Sequence, residues 1–176
     1  MYTCSMHLMI DLETLATTPD AAVLTIGACK FDPHGKDIHS TFYERIILET
    51  QEGYKRIINE DTLAWWSQQD KQIQEDAFGE GDDRIDLKDA MKKLYTFGLG
   101  TTNVWSHGSI FDTVIIEDIC RSFQQAVTWK FWEVRDTRTL FDLAKVDVRI
   151  EGKHNALTDA VAQAQAVQKA YSILIK

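Results

Sequence analysis

Apolar and polar residues change their spacing several times along this chain, and each change marks an element. Leu8, Met9 and Ile10 form a continuous apolar run within "HLMIDLE", the pattern of a strand covered on both faces. "AAVLTIGACKFD" follows the turn-like "TTPD" and stops at the turn signal "DPHGKD". "STFYERIIL" alternates as a third strand would, so the three predict an antiparallel meander. From residue 59 the period becomes helical. "NEDTLAWWSQQDKQIQEDAF" predicts a helix capped by Asn59 or Asp61 and broken at "GEGDDR". Leu63, Trp66, Ile73 and Ala77 make its apolar face, whereas Trp65 falls among Thr62, Gln69, Gln72 and Asp76. "DLKDAMKKLYTFG" is a second helix with Asp86 as its cap. After it come a short strand in "TNVWSHGS", a helix in "IFDTVIIEDICRSFQQA", and a strand with a short helix in "TWKFWEVRDTRTLFDLAKV". The last segment, "KHNALTDAVAQAQAVQKAYSILIK", is a long helix whose alanines permit close packing. This order predicts an α/β fold, with a mixed five-stranded sheet flanked by helices in one domain over residues 1–176.

Composition narrows the class. Apolar residues make up 44% of 176 and charged residues 26%, which suits an ordinary globule with a substantial core. No apolar run reaches the roughly 20 residues of a membrane span, and no basic segment precedes a long apolar one. Cys4, Cys29 and Cys120 are odd in number and widely spaced, so they read as reduced thiols, and the expected location is cytoplasmic. The net charge of −8 argues against non-specific wrapping of nucleic acid. It is unevenly spread: residues 49–89 carry twelve acids and five bases, whereas residues 121–153 carry seven bases and five acids. A polyanion would approach the second region.

"MIDLET" carries the first chemical signal. Asp11 and Glu13 lie two apart on the first strand and so point the same way. On a lone edge strand such a pair faces solvent; in a buried strand two unpaired carboxylates are costly and need cations. With no Lys or Arg in the run, a hard divalent ion with oxygen ligands is the economical partner. Asp112 follows Phe111 at a helix start, where an acid is also favoured by the helix dipole. In "HNALTD", Asn155 suits a helix cap, placing Asp159 in the first turn and His154 just outside. Residues five apart on an ideal helix point about 140° apart, so His154 serves a shared site better from the preceding loop.

Jointly these segments resemble the DEDDh exonuclease superfamily, whose fold is similar to ribonuclease H. Its DxE-Thr motif is matched by Asp11-Leu12-Glu13-Thr14, its Phe-Asp motif by Phe111-Asp112, and its His-x4-Asp motif by His154 and Asp159. "DTLAWWSQQD" further resembles compact phage-type exodeoxyribonuclease A and small exoribonuclease-like domains, which carry a Thr-x-x-x-Trp segment. One departure is visible: many members place Asn shortly before the second-motif Asp, where this chain has His107-Gly108-Ser109.

The resemblance implies two divalent cations, Mg²⁺ or Mn²⁺, held by Asp11, Glu13, Asp112 and Asp159, with His154 as general base. It further implies hydrolysis of single-stranded DNA or RNA from the 3' end to nucleoside 5'-monophosphates, with a slight lean to DNA. Thr14, Leu15, Trp65 and Phe111 are the expected substrate contacts, with core packing as the competing role for Leu15 and Phe111, and a homodimer contact for Trp65. Arg135, Arg138 and Lys153 are candidates for phosphate contacts. The competing functions are a proofreading subunit of a polymerase and a non-catalytic nucleic-acid-binding module.

Overall fold

In a computed structural model, which describes residues 5–81, 83–147 and 154–175, the chain folds around one mixed sheet. Strands β1 (His7–Thr14), β2 (Val23–Phe31) and β3 (Ile38–Ile46) form the expected antiparallel meander. β5 (Asn103–Ser106) joins β1 in parallel, and β6 (Val134–Asp136) joins β5 in parallel. The sheet has six strands, not five, in the order β4-β3-β2-β1-β5-β6. The added strand, β4 (Arg84–Ile85), is too short to show a period in sequence. It is held from a distance: the Arg84 guanidinium donates to the carbonyls of Ile46, Ala77 and Gly79.

The helical segment after residue 59 is also divided. α1 (Glu60–Trp66) and α2 (Lys71–Phe78) are separated at Ser67–Asp70, where the Ser67 hydroxyl donates back to the Ala64 carbonyl. α3 (Leu87–Gly98), α4 (Asp112–Ser122), α5 (Thr137–Ala144) and α6 (Ala156–Leu174) complete the fold. Asn59, Asp86 and Asn155 cap α1, α3 and α6 through their side chains, as expected.

Alternation along β1 sorts the core. Leu8, Ile10 and Leu12 pack on one side with Met91, Leu94, Ile115 and Ile119 of α3 and α4. Met9 points the other way, into a cluster with Phe141 of α5 and Ala160, Ala164 and Val167 of α6. Asp11 and Glu13 continue the Met9 side of the strand, so they emerge beside the start of α6. Gly27 pairs with Asp11 across the β1–β2 register. A Cβ there would collide with the backbone of Ala156 and Leu157, so the missing side chain is what lets α6 begin directly on the sheet. No helix among the described residues is long and apolar enough to cross a membrane.

Candidate active site

The four motif carboxylates come from three places and meet at one cleft. Asp11 and Glu13 project from β1. Asp159 sits in the first turn of α6, which rests on β2 at Gly27. Asp112 opens α4, reached through the loop that follows β5. β5 pairs with β1 only as far as Met9 and Trp105. Beyond that point the Leu12 amide lacks a strand partner, and the Asp112 carboxylate accepts from it at 3.0 Å. This bond anchors α4 to the strand that carries the other two acids.

Asp11, Glu13, Asp112, His154 and Asp159 all line a cleft of about 670 Å³, with Phe111 on its wall. Single donor atoms of Glu13, His154 and Asp159 lie within 4.8 Å of one another. His154 stands outside the helix with a left-handed backbone, φ 72°, and its amide donates to Asp159 at 3.1 Å. The Trp65 ring meets the His154 ring edge-on, with centroids 4.8 Å apart.

Burial, joined by crowding, raises the proton affinity of Asp11, Glu13 and Asp112. Burial, then the charges of Asp159 and Asp112, push the Glu13 carboxyl up to about 8. Burial raises Asp112 to about 7, opposed by the Leu12 amide. Burial, Asp112 and Glu13 hold Asp11 well above the usual carboxylate range, while a hydrogen bond from Gln163 at 2.8 Å pulls it back. Buried acids whose ionisation is resisted by burial and by one another, and which offer several hard oxygen donors, fit divalent ions of the Mg²⁺ or Mn²⁺ type.

The expected substrate contacts separate. Trp65 and Phe111 border a second pocket of about 510 Å³ with Thr14 and Thr62, adjoining the acidic cleft at Leu12 and Glu13. Trp65 is 40% exposed, whereas Trp66 is buried and donates its indole N–H to the Thr14 carbonyl at 2.9 Å. The Thr14 hydroxyl donates to the Ala16 carbonyl at 2.7 Å. Leu15 departs from the expected set. It is buried with Leu24, Trp66 and Ala77, and its backbone is tied to Ala22 and Asn59, because the turn after β1 carries its side chain into the core. Phe111 borders the pocket and also packs against the core cluster. Of the candidate phosphate contacts, Arg138 lines the cleft, and the Arg135 guanidinium is drawn to the carbonyls of Trp132 and Val134. Lys153 lies outside the described residues.

Gln163 and His107 also line the cleft, outside the motifs that the sequence presents. Gln163 is one helical turn after Asp159, and this i, i+4 spacing was the available signal. His107 is the residue of the departure noted above. Its Nδ1 pairs with the Thr137 hydroxyl at 2.8 Å, and burial and Arg138 lower its proton affinity.

Known proteins share parts of this sequence and this fold. Residues 6–171 match the family model described as the 3'-5' exoribonuclease Rv2179c-like domain. An exodeoxyribonuclease of Enterobacteria phage T4 is 25% identical over 159 residues, covering 74% of this chain and 68% of its own length. The fold is similar to the nuclease domain of 3'hExo, a DEDDh family member bound to rAMP (TM-score 0.59, 14% identity, 96% of this chain and 92% of that one). It is also similar to E. coli exonuclease I in complex with a dT13 oligonucleotide (TM-score 0.67, 12% identity, 96% of this chain). There it spans 41% of the larger protein.

Proposed function

The chain belongs to the family of the 3'-5' exoribonuclease Rv2179c-like domain and is a 3'-5' exonuclease of DEDDh type, and we propose that it removes nucleoside 5'-monophosphates from the 3' end of single-stranded nucleic acid with two divalent cations. The observation that carries this reading is the convergence of Asp11, Glu13, Asp112, His154 and Asp159 on one cleft. Asp11, Glu13, Asp112 and Asp159 would hold the cations, Mg²⁺ or Mn²⁺. When bound, such ions polarise the scissile phosphodiester and make water a competent nucleophile.

The side chains supply the rest. His154 takes the proton of the attacking water, a role an imidazole ring nitrogen facing the carboxylates can fill as general base. The edge of Trp65 restricts the imidazole, and the His154–Asp159 hydrogen bond keeps the base beside the carboxylates. Gln163 orients Asp11, and the Leu12 amide orients Asp112. Arg138 places a cation on the cleft wall, where the phosphate brings negative charge. The adjoining pocket of Thr14, Thr62, Trp65 and Phe111 takes the terminal nucleotide. The family description names RNA and the phage relative's name names DNA, so the proposed substrate is a single-stranded 3' end of either sugar.

The test is a digestion panel of matched single- and double-stranded DNA and RNA, labelled at either end, with Mg²⁺ or Mn²⁺ and with EDTA. Metal-dependent early release of the 3' label from single strands supports the reading. Intact strands in every metal-containing lane, or early release of the 5' label, would refute it. Asp11→Asn should abolish the release.

A further inference from the structure

Outside the cleft, the most conspicuous feature is a pair of neighbouring aromatic side chains left in solvent. Phe131 is 83% exposed and Trp132 57%, with ring centroids 4.8 Å apart and planes at 85°. The segment that presents them is anchored at both ends. Trp129 is buried in the core and donates its indole N–H to Glu117 at 2.9 Å. After the pair, Val134–Asp136 is hydrogen-bonded to β5 as strand β6. Between them lies a short 3-10 turn, Phe131–Glu133, closed where the Lys130 amide donates to the Glu133 carboxylate at 2.7 Å. The aromatics therefore occupy a fixed platform.

Cations frame this platform. The Lys130 ammonium stands 5.2 Å from the Trp132 ring centre, and the Arg135 guanidinium donates to the Trp132 carbonyl at 2.7 Å. Both cations are exposed. The two nearby acids are turned to backbone amides, Glu133 to that of Lys130 and Asp136 to those of Ser109 and Thr139. Three residues beyond Arg135, Arg138 reaches the acidic cleft. Cations interleaved with exposed aromatic faces match a single strand, whose phosphates and bases alternate in the same way.

We infer that Phe131 and Trp132, with Lys130 and Arg135, form a stacking track for the body of the single strand whose 3' end lies in the cleft; the inference rests on the exonuclease reading above. Bases stack on the two rings, and phosphates pass Lys130, Arg135 and Arg138 on the way to the carboxylates. Arg138 is six steps along the chain from Trp132, so the two backbones lie within about 22 Å of each other. The track thus serves strands long enough to run from the cleft to the platform, and a longer strand can use more of it than a dinucleotide can.

The test measures binding and cleavage separately. Wild type, Phe131→Ala, Trp132→Ala, Trp132→Phe and Lys130→Ala are titrated with a fluorescent 20-mer in EDTA, and hydrolysis of the 20-mer and of a dinucleotide is followed in Mn²⁺. Each aromatic-to-Ala change should weaken 20-mer binding about fivefold or more, with Trp132→Phe restoring most of the loss. Lys130→Ala should flatten the slope of log affinity against log salt by about 0.7. In cleavage, the Ala variants should lower the ratio of 20-mer to dinucleotide efficiency. Equal binding by wild type and Ala variants would overturn the track, and the exonuclease reading would stand if the wild type still releases the 3' label. Conversely, a wild type that binds through the pair but hydrolyses nothing would refute the exonuclease reading and keep the pair as a binding surface. Ala variants that bind normally but shift from dimer to monomer in light scattering would make the pair a contact between copies, which also overturns the proposal.

Discussion

His154 donates its backbone amide, not its ring, to the carboxylate of Asp159 at 3.1 Å, from a left-handed backbone with φ 72°. The five-residue spacing thereby links two roles. The carboxylate of Asp159, proposed above to hold a cation, also fixes the position of His154 through its backbone, and this bond does not use the imidazole.

Replacing that ring should therefore separate catalysis from metal binding. His154→Ala keeps the amide bond and should lower kcat about 10²- to 10⁴-fold. The Mn²⁺ concentration for half-maximal rate should change much less. Single-turnover rates across a Mn²⁺ titration check both, and a collapse of metal affinity would instead make the ring a ligand.

Gln163 should matter although it is no carboxylate. Its amide donates to Asp11 at 2.8 Å and favours the ionised form. Gln163→Leu removes that bond at similar volume and should weaken metal activation about 10- to 100-fold, the usual effect of losing a residue that orients a ligand. The readout is the Mn²⁺ dependence of the cleavage rate, with a melting curve to confirm folding.

Gly27 should tolerate no side chain. Gly27→Ala drives a methyl group into the backbone of Ala156 and Leu157. Overpacking of this kind costs about 1–3 kcal/mol and here displaces the helix that carries Asp159. The variant should lose both melting temperature and activity. Gly53→Ala, where an added methyl meets nothing within 4 Å, should stay within about 0.5 kcal/mol of wild type.

The crowded acids make stability depend on pH and metal together. Glu13 is raised from 4.5 to about 8 and Asp112 from 3.8 to about 7, so the metal-free folded protein holds protons that the unfolded chain has released. Stability in EDTA should be greatest below about pH 4 as far as these groups are concerned, and should fall as pH rises through about 7 to 8. Each kcal/mol lost lowers the melting temperature by about 3 °C. Divalent ions bind the ionised form, so Mn²⁺ should restore stability most at the upper end of this window. Melting curves from pH 4 to 9, with EDTA or Mn²⁺, test the trend; stability rising with pH in EDTA would contradict it.

Much of this site was legible because local rules coincide with it. Alternation on β1 puts Asp11 and Glu13 on one side, and Asn155 as a cap sets the phase of Asp159 and leaves His154 on the loop. Helical phase likewise distinguished buried Trp66 from exposed Trp65. What escaped depends on partners distant in sequence. β4 exists because Arg84 reaches Ile46, Ala77 and Gly79. For Leu15 the sequence leaves core packing and substrate contact both open, and the bend after β1 that meets Ala22 and Asn59 decides for the core. Gln163 gains its role only when α6 lies across Gly27, a contact made by the absence of a side chain.

The central claim, metal-dependent hydrolysis that starts at a 3' end, is tested most directly by comparing one strand in linear and circular form. Wild-type protein with Mn²⁺ should convert the linear strand to nucleoside 5'-monophosphates, identified by mass spectrometry, and leave the circle intact. Asp11→Asn should leave both intact. Cleavage of the circle, nucleoside 3'-monophosphate products, or full activity in Asp11→Asn would contradict the account.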